Sequence, residues 1–281
     1  MGLSRERIST AYEEACRLEI EALKPGNVHL FAHGHGMTAG QFLLSASVSA
    51  GPLADPDLRV GRRILEAIRA TRQAVGINTN LGIVLLTAPL ARAAELAGGD
   101  LRENLSAVLD GLDMDDAGAV FEAIVVASPG GLGSAEEHDV REPPKVGVLE
   151  AMRAAAGRDR IARQYVTCFD DVFGTGLTAL DDSFARGENG IWPTVFTYMA
   201  FLAGFPDSHV ARKHGDETAH RIREEAATVK VTLDAADDDQ ARLRLLLDFD
   251  SRLKARSVNP GTSADLTVAS LFVHILRQRL A

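Results

Sequence analysis

The sequence predicts an all-α fold. Apolar residues recur at three- and four-residue steps along most of the 281-residue chain, which is the period of an amphipathic helix. Alanine and leucine are abundant, whereas aromatic residues make up only 5% of the chain, and this balance favours close helix packing over a sheet. No convincing alternation of apolar and polar residues, the pattern of a strand, interrupts these segments. No linker-like stretch divides the chain either, so we expect one multi-helix domain over residues 1–281.

The first two helices are predicted from their terminal residues. Ser4 is the expected N-cap of a helix that continues to Leu23, and Pro25 ends it because proline lacks a backbone N–H. Thr38 and Gln41 form a capping-box pattern, which predicts that a second helix begins there. Two prolines, at positions 52 and 56, are expected to end this second helix near residue 51.

The remaining helices follow from apolar periodicity. Asp115 or Asp116 is the expected cap of one of them, and Asp207 of another. Cys16 and Cys168 both fall in helical patterns, without a Cys-x-x-Cys motif, which predicts reduced core cysteines. The predicted helices span residues 58–75, 83–96, 101–109, 117–127, 146–156, 158–172, 176–184, 190–205, 216–231, 237–256 and 266–276, with a further helix after Asp207.

Composition limits the class of protein. The net charge of −9 argues against broad nucleic-acid binding, although it allows a local basic pocket for a phosphorylated small molecule. No apolar run is long enough to cross a bilayer, and no secretory segment is evident. We therefore expect a soluble, cytoplasmic protein without a membrane partner. A homodimer is compatible with the sequence, which leaves the oligomeric state open.

The densest group of polar residues lies at residues 24–37, directly after the first helix. Glycines between these residues let the backbone approach a ligand closely. Three histidines within seven residues also raise the alternative of a metal site, although their spacing is not that of a zinc-binding helix. A solvated surface loop could carry the same residues. The groups able to bind or titrate are Lys24, Asn27, His29, His33 and His35.

Four other polar segments interrupt the helices. Residues 76–82 contain Asn78 and Asn80, which could serve only as cap and turn residues. The longest polar loop, within residues 128–145, contains Glu136, Glu137, His138 and Asp139. After Asp207, cations crowd a predicted helix N-terminus that would prefer anions, which suggests an anionic ligand; they are His209, Arg212 and Lys213. In the last segment, Thr262 and Asp265 form a capping-box-like pair, which gives Asp265 a structural explanation.

These segments together resemble the triphosphoribosyl-dephospho-CoA synthase family. The matching pieces occur in the family's order and extend from Lys24 to the last helix. They are Lys-Pro-Gly-Asn-x-His at residues 24–29, His-x-His at 33–35, Gly-x-Asn-Thr-Asn-x-Gly at 76–82, Asp-Ser-His-x-x-Arg-Lys-His-Gly at 207–215 and Asn-Pro-Gly-Thr-Ser-Ala-Asp at 259–265. The resemblance implies a helical enzyme that transfers the triphosphoribosyl part of ATP to the ribose 2′-hydroxyl of dephospho-CoA and releases adenine, with Mg²⁺ as the expected ion.

The resemblance also implies roles for residues of this chain. The triphosphate needs cations, and hard oxygen ligands must hold magnesium. Displacement of adenine builds positive charge on the sugar, which a carboxylate can stabilise. The expected catalytic residues are Asp207, Asp265, Glu136 and His29. The expected substrate-binding residues are Lys24, Asn27, His33, His35, Asn78, Asn80, His209, Arg212, Lys213 and Ser263. The expected magnesium ligands are Asp207, Asp265 and one of Glu136 or Asp139.

Two departures from the family pattern leave alternatives open. The family's Asn-Thr-His is Asn78-Thr79-Asn80 here, and its middle segment is replaced by residues 133–139. The acceptor could therefore be another cofactor precursor, for instance one in pterin-linked one-carbon metabolism. A magnesium-dependent hydrolase of an N-glycosidic or ADP-ribose bond would use the same carboxylates with water. A helical binding or scaffold protein is the third alternative.

Overall fold

The computed structural model describes residues 2–32, 36–129 and 139–281. Within these residues the secondary structure consists of fourteen α-helices and one π-helical segment, without a strand, so the all-α prediction is confirmed. The α-helices are α1 (Arg5–Glu21), α2 (Ala39–Leu53), α3 (Val60–Val75), α4 (Leu81–Glu95), α5 (Leu101–Asp110), α6 (Met114–Ala127), α7 (Val148–Ala155), α8 (Arg160–Val166), α9 (Leu177–Ala185), α10 (Trp192–Gly204), α11 (Ser208–His214), α12 (Asp216–Asp234), α13 (Asp239–Ala255) and α14 (Gly261–Leu280). The π-helical segment, Val172–Gly176, directly precedes α9.

The strongest local cap signals were predicted correctly. The Ser4 side chain accepts a hydrogen bond from the backbone N–H of Arg7 at the start of α1. Thr38 and Gln41 form both bonds of a capping box at the start of α2. Asp207 caps α11. These signals act over only two or three residues, so distant packing does not need to be known to predict them.

Other helix ends differ from the prediction. Helix α2 continues through Pro52 to Leu53, because a proline in the last turn removes one hydrogen bond without breaking the turns before it. The cap of α6 is Asp113, and neither Asp115 nor Asp116, because the Asp113 side chain accepts from the backbone N–H groups of both later residues. Asp116 instead accepts a hydrogen bond from the Gly61 N–H of α3.

The predicted helix at 158–172 is also interrupted. Helix α8 ends at Val166, and Cys168 and Phe169 then adopt left-handed backbone angles with φ of 48° and 59°. Cys168 therefore lies half-buried in a turn, whereas Cys16 is buried in α1 as predicted. An apolar sequence pattern cannot distinguish this turn from a continuing helix.

The beginning of α14 changes the interpretation of Asp265. This helix begins at Gly261, so Thr262 and Asp265 both lie in its first turns and do not form the predicted capping pair. The Thr262 hydroxyl instead accepts a hydrogen bond from the His209 N–H of α11 at 3.1 Å. The structural explanation for Asp265 therefore does not hold, and its side chain is available for another role.

Helix α14 organises the packing around the site. It contacts α1, α4, α10 and α11, and thirteen of its residues are buried. The larger apolar core lies mainly among α1 to α8 and α14, and a second core, containing Trp192, lies among α10, α12 and α13. The N-terminal ends of α4, α8, α11 and α14 meet near one region, which the cavity described below occupies. None of the described helices combines the length and apolarity that a bilayer span requires.

Candidate active site

A cavity of about 920 Å³ opens where the N-terminal ends of α4, α8, α11 and α14 meet. This volume is within the range of small-molecule sites. Four of the five matched polar segments, far apart in sequence, line this cavity, and the residues that they contribute include Asn27, Asn78, Asn80, Arg212 and Asp265. The predicted convergence of distant loops is therefore present among the described residues. His33, His35 and Glu136 lie outside the described residues.

Cations from one short helix line part of this cavity. His209, Arg212 and Lys213, all predicted substrate-binding residues, are on the wall. Arg212 donates a hydrogen bond to Asp159 at 3.3 Å, which positions its guanidinium next to the cap of α8. Arg212 and Lys213 lie in the last turn of α11, so the predicted crowding of cations at a helix N-terminus is wrong for these two residues. A cluster of side chains that can carry positive charge on one cavity wall is still suited to an anion.

Asp207 holds α11 against α14. One carboxylate oxygen accepts hydrogen bonds from the backbone N–H groups of His209 at 2.9 Å and Val210 at 3.1 Å. The other accepts from the backbone N–H and the hydroxyl of Ser263, at 2.7 and 2.8 Å. Burial raises the pKa of Asp207, and these four bonds oppose that shift. Asp207 and Ser263 lie behind the cavity wall, so these contacts favour a positioning role, and their direct catalytic, metal and substrate roles remain predictions.

Asp265 is the carboxylate that reaches the cavity from α14. Burial, followed by the negative charges of Glu19, Asp207 and Asp159, raises the pKa of Asp265 well above its ordinary value. No described side chain or backbone N–H donates a hydrogen bond to this carboxylate, which is packed against Gly82 at the start of α4. A carboxylate in such surroundings is suited to a positively charged centre or a bound cation.

Gly82 leaves the space that Asp265 occupies. A methyl group at Gly82 would collide with the Asp265 carboxylate, whereas one at Gly118, inside α6, would meet nothing within 4 Å. We expect Gly82→Ala to displace Asp265, to cost about 1 to 3 kcal/mol of stability and to reduce turnover strongly. Gly118→Ala is the matched control and should stabilise the helix by up to about 1 kcal/mol with turnover retained. Chemical denaturation and a turnover assay measure both effects, and a fully active Gly82→Ala enzyme would contradict this role of Gly82.

Lys24 is buried beneath the cavity and does not line it. Its ammonium group contacts Glu19 at 3.1 Å and donates to the carbonyl of Val28. Burial lowers the pKa of Lys24, and the opposite charge of Glu19 counters this shift. Glu19 lines the cavity, so Lys24 neutralises a wall residue from behind. These contacts favour an indirect role, and direct contact of Lys24 with phosphate remains a prediction.

His29 and Asn27 hold the polar segment that follows Lys24. The His29 ring contacts Asp250 at 3.3 Å and Lys254 at 3.3 Å, both on α13, and does not line the cavity. Burial is the main cause that lowers the pKa of His29. Asn27 is on the cavity wall and donates to Asn259 at 2.8 Å. The contacts of His29 are those of a residue that anchors the loop to α13. A catalytic role for His29 remains a prediction.

Asn78 and Asp139 both line the cavity. The Asn78 side chain accepts a hydrogen bond from the Leu81 N–H at 3.1 Å, as the alternative of a cap residue predicted. Asp139 accepts from the backbone N–H of Arg141 at 3.0 Å. Its second carboxylate oxygen contacts the Arg141 guanidinium at 3.4 Å. Substrate binding by Asn78 and metal binding by Asp139 remain predictions.

Several wall residues were missed from the sequence. They are Glu19, Arg158, Asp159, Asn259 and Thr262. Glu19 had a detectable signal, because it lies on the apolar stripe of α1, three residues after Cys16 and four before Leu23. Asp159 was hidden because the predicted helix began at residue 158, one position before the observed cap.

The cavity carboxylates fit a magnesium ion that is also held by phosphate. Magnesium commonly binds through one or two carboxylates together with substrate phosphates. Asp265, Asp159 and Asp139 supply such ligands on the wall. No group of three or more histidine, cysteine or acidic side chains is arranged to hold a metal in the part of the chain that the structure describes. A site completed by the substrate therefore fits these residues better than one made by protein alone.

The family model of ATP:dephospho-CoA triphosphoribosyl transferase (CitG) matches residues 5–281. The chain belongs to this family. A solved structure of a protein from Archaeoglobus fulgidus, provisionally described as a triphosphoribosyl-dephospho-CoA synthase, is 26% identical, with a TM-score of 0.62. The match covers 82% of this chain and 96% of that chain. None of the curated proteins matches the chain. The protein is thus a transferase like triphosphoribosyl-dephospho-CoA synthase, as the resemblance implied, and the scaffold alternative is set aside.

Proposed function

We propose that this transferase moves the triphosphoribosyl group of ATP to a ribose hydroxyl of dephospho-CoA or a related cofactor precursor. The bond from adenine to the ribose C1′ breaks, and a bond from the acceptor oxygen to C1′ forms. The proton of the acceptor hydroxyl is lost and adenine leaves protonated, so atoms and charge balance. The observation that carries this proposal is that the cations of α11 and the carboxylate of Asp265 line one cavity.

The cationic part of the wall is assigned to the triphosphate. Arg212 and Lys213 bring fixed positive charge, and His209 adds a ring beside them. Asp207 accepts two hydrogen bonds from α11 and two from Ser263 of α14, so the helix that carries the cations is held in place before ATP binds. Such preorganisation reduces the cost of ordering side chains around the ligand.

Asp265 is assigned to the sugar. Loss of adenine leaves positive charge at C1′ and the ring oxygen, and an ionised carboxylate stabilises that charge in the transition state. Ionisation of Asp265 beside other acids costs free energy, and this cost falls when positive charge develops next to the carboxylate. Magnesium bound to the triphosphate and to Asp265 or Asp159 would neutralise phosphate charge.

The adenine base and the acceptor hydroxyl are assigned to parts of the wall that match their polarity. Apolar side chains from α4, α6 and α7 form a wall suited to the flat base, among them Leu85, Phe121 and Met152. Glu19 on the wall, and Glu136 in the segment outside the described residues, are the carboxylates that could accept the proton of the attacking hydroxyl. His29 and Lys24 support the loop and Glu19 from behind.

The reaction is tested directly by its products. Purified protein is incubated with ATP, Mg²⁺ and dephospho-CoA, and adenine and the conjugate are measured by mass spectrometry. We expect equal amounts of adenine and of a product whose mass is the sum of both substrates less adenine. Adenine release with water alone would instead support the hydrolase alternative. Related precursors, including those of pterin-linked one-carbon metabolism, are compared as acceptors, and Mg²⁺ is withdrawn in a parallel reaction.

Removal of the Arg212 guanidinium should weaken ATP binding. We expect Arg212→Ala to bind ATP about tenfold to a hundredfold more weakly, because charge-assisted hydrogen bonds to phosphate contribute roughly 1.5 to 3 kcal/mol each. Arg244, an exposed arginine of α13 that does not line the cavity, provides the matched control Arg244→Ala. Isothermal titration calorimetry with ATP compares both variants with wild type. An unchanged affinity in Arg212→Ala would contradict the phosphate assignment.

A further inference from the structure

Asn80 presents a buried hydrogen-bond acceptor without a donor. Its side chain lines the cavity at the N-terminal end of α4 and is only 4% exposed. The side-chain oxygen, Oδ1, has no hydrogen-bond partner, although a buried amide oxygen normally has one. Asn80 also does not use its side chain to cap α4, the most common structural use of asparagine at this position.

Neighbouring hydroxyl groups determine which way the Asn80 amide points. The Ser49 hydroxyl donates its single proton to the carbonyl of Ser45 at 2.6 Å, so Ser49 Oγ can only accept further hydrogen bonds. It lies 2.9 Å from the hydroxyl of Tyr12 and 3.3 Å from Asn80 Nδ2. If the amide were turned over, Asn80 Oδ1 would face Ser49 Oγ with no proton between them. The network therefore holds Nδ2 toward Ser49 and leaves the buried Oδ1 without a donor.

The position of Asn80 in the cavity indicates which part of a nucleotide it would contact. Asp265 packs against Gly82, two residues after Asn80. Asn80 Oδ1 and the Asp265 carboxylate thus belong to the same end of the cavity. In the proposed reaction Asp265 faces the sugar, and the hydroxyl groups next to C1′ are the closest neutral donors to that carbon.

We propose that Asn80 Oδ1 accepts a hydrogen bond from a ribose hydroxyl of the donor nucleotide, and that Tyr12 and Ser49 are positioning residues that keep this oxygen facing the sugar. This inference rests on the proposed function, since it takes the ligand to be ATP. A buried acceptor left unpaired by a deoxynucleotide costs free energy, so the contact selects ribonucleotides.

The experiment compares ATP, 2′-deoxy-ATP and 3′-deoxy-ATP by isothermal titration calorimetry on the full chain with Mg²⁺ and without an acceptor. Wild type should bind one of the two deoxynucleotides roughly tenfold to a hundredfold more weakly than ATP. The ratio of the Kd for that deoxynucleotide to the Kd for ATP should fall to near one in Asn80→Ala. The same ratio for the other deoxynucleotide should stay as in wild type.

The positioning role has its own matched pair of variants. Ser49→Ala removes the acceptor that orients Nδ2, so the amide can turn and the discrimination should fall toward that of Asn80→Ala. Ser270→Ala is the control, because Ser270 is equally buried and also donates to the carbonyl four residues earlier, but does not line the cavity or contact Asn80. Both variants lose one such bond, yet only Ser49→Ala should change the nucleotide ratio. Equal ratios in the two variants would overturn the positioning role.

The outcomes separate this inference from the proposed function. If wild type binds ATP and both deoxynucleotides alike, or if Asn80→Ala discriminates as wild type does, the Asn80 contact is overturned while triphosphoribosyl transfer stands. If wild type does not bind ATP and releases no adenine, both proposals are overturned. If Asn80→Ala does not fold, Ser49→Ala decides the question, and full wild-type discrimination in Ser49→Ala overturns the proposal.

Discussion

Asp265→Asn is expected to reduce kcat for adenine release by about a hundredfold to a thousandfold while the fold keeps its stability. Loss of one preorganised charge at the reacting centre typically has an effect of this size. The substitution preserves the shape that packs against Gly82 and removes a charge that lies near Glu19, Asp207 and Asp159. The variant should therefore unfold at the same temperature as wild type or at a higher one. Kinetics and thermal unfolding measure the two effects.

An exposed aspartate provides the control for this result. Asp248→Asn changes the same chemical group on α13, where Asp248 forms a surface ion pair with Arg252. This variant should match wild type in both kcat and thermal unfolding, because exposed ion pairs contribute little to stability. If Asp265→Asn kept full activity, or if it lost stability with its specific activity intact, the assignment of Asp265 to the sugar would be wrong.

Asp207→Ala should have the largest effect on stability. Four donors on α11 and α14 lose their acceptor; three of them are backbone N–H groups, and two of these, in Val210 and Ser263, are buried. Loss of a cap costs about 1 kcal/mol, and breaking a buried charged network raises the expected total to roughly 3 kcal/mol. Activity should also fall, since the cations of α11 lose their fixed position. Urea denaturation measures the free energy of unfolding.

Asp238 separates the two parts of this effect. It caps α13 through the backbone N–H groups of Gln240 and Ala241, but it is exposed and no second helix depends on it. Asp238→Ala should therefore lose only about 1 kcal/mol. If Asp207→Ala is no less stable than Asp238→Ala, Asp207 does not hold α11 against α14. A stable but inactive Asp207→Ala enzyme would instead favour direct participation of its carboxylate.

Local signals explain what could be predicted from the sequence. The helix class, the Ser4 cap and the capping box of Thr38 and Gln41 depend on neighbouring residues alone, and each was predicted correctly. The cations after Asp207 were predicted to belong together because they lie within one short segment. Family resemblance supplied the further expectation that distant polar segments meet, and Asn78, Arg212 and Asp265 do line one cavity.

Long-range contacts explain what could not be predicted. The pairing of Lys24 with Glu19 and the bonds from Asp207 to Ser263 depend on how α1, α11 and α14 pack together. Sequence spacing suggested that Asp265 completes a capping box, because nothing local shows that α14 begins at Gly261. The orientation of the Asn80 amide depends on Tyr12 and Ser49, which only the folded chain brings together.

The most direct test of the central claim is a crystal structure of the protein with Mg²⁺ and an ATP analogue that cannot lose its base. The proposed function predicts the triphosphate against Arg212 and Lys213 and the ribose beside Asp265, all within the cavity at the N-terminal ends of α4, α11 and α14. A nucleotide bound elsewhere on the protein, or bound with its ribose away from Asp265, would contradict it.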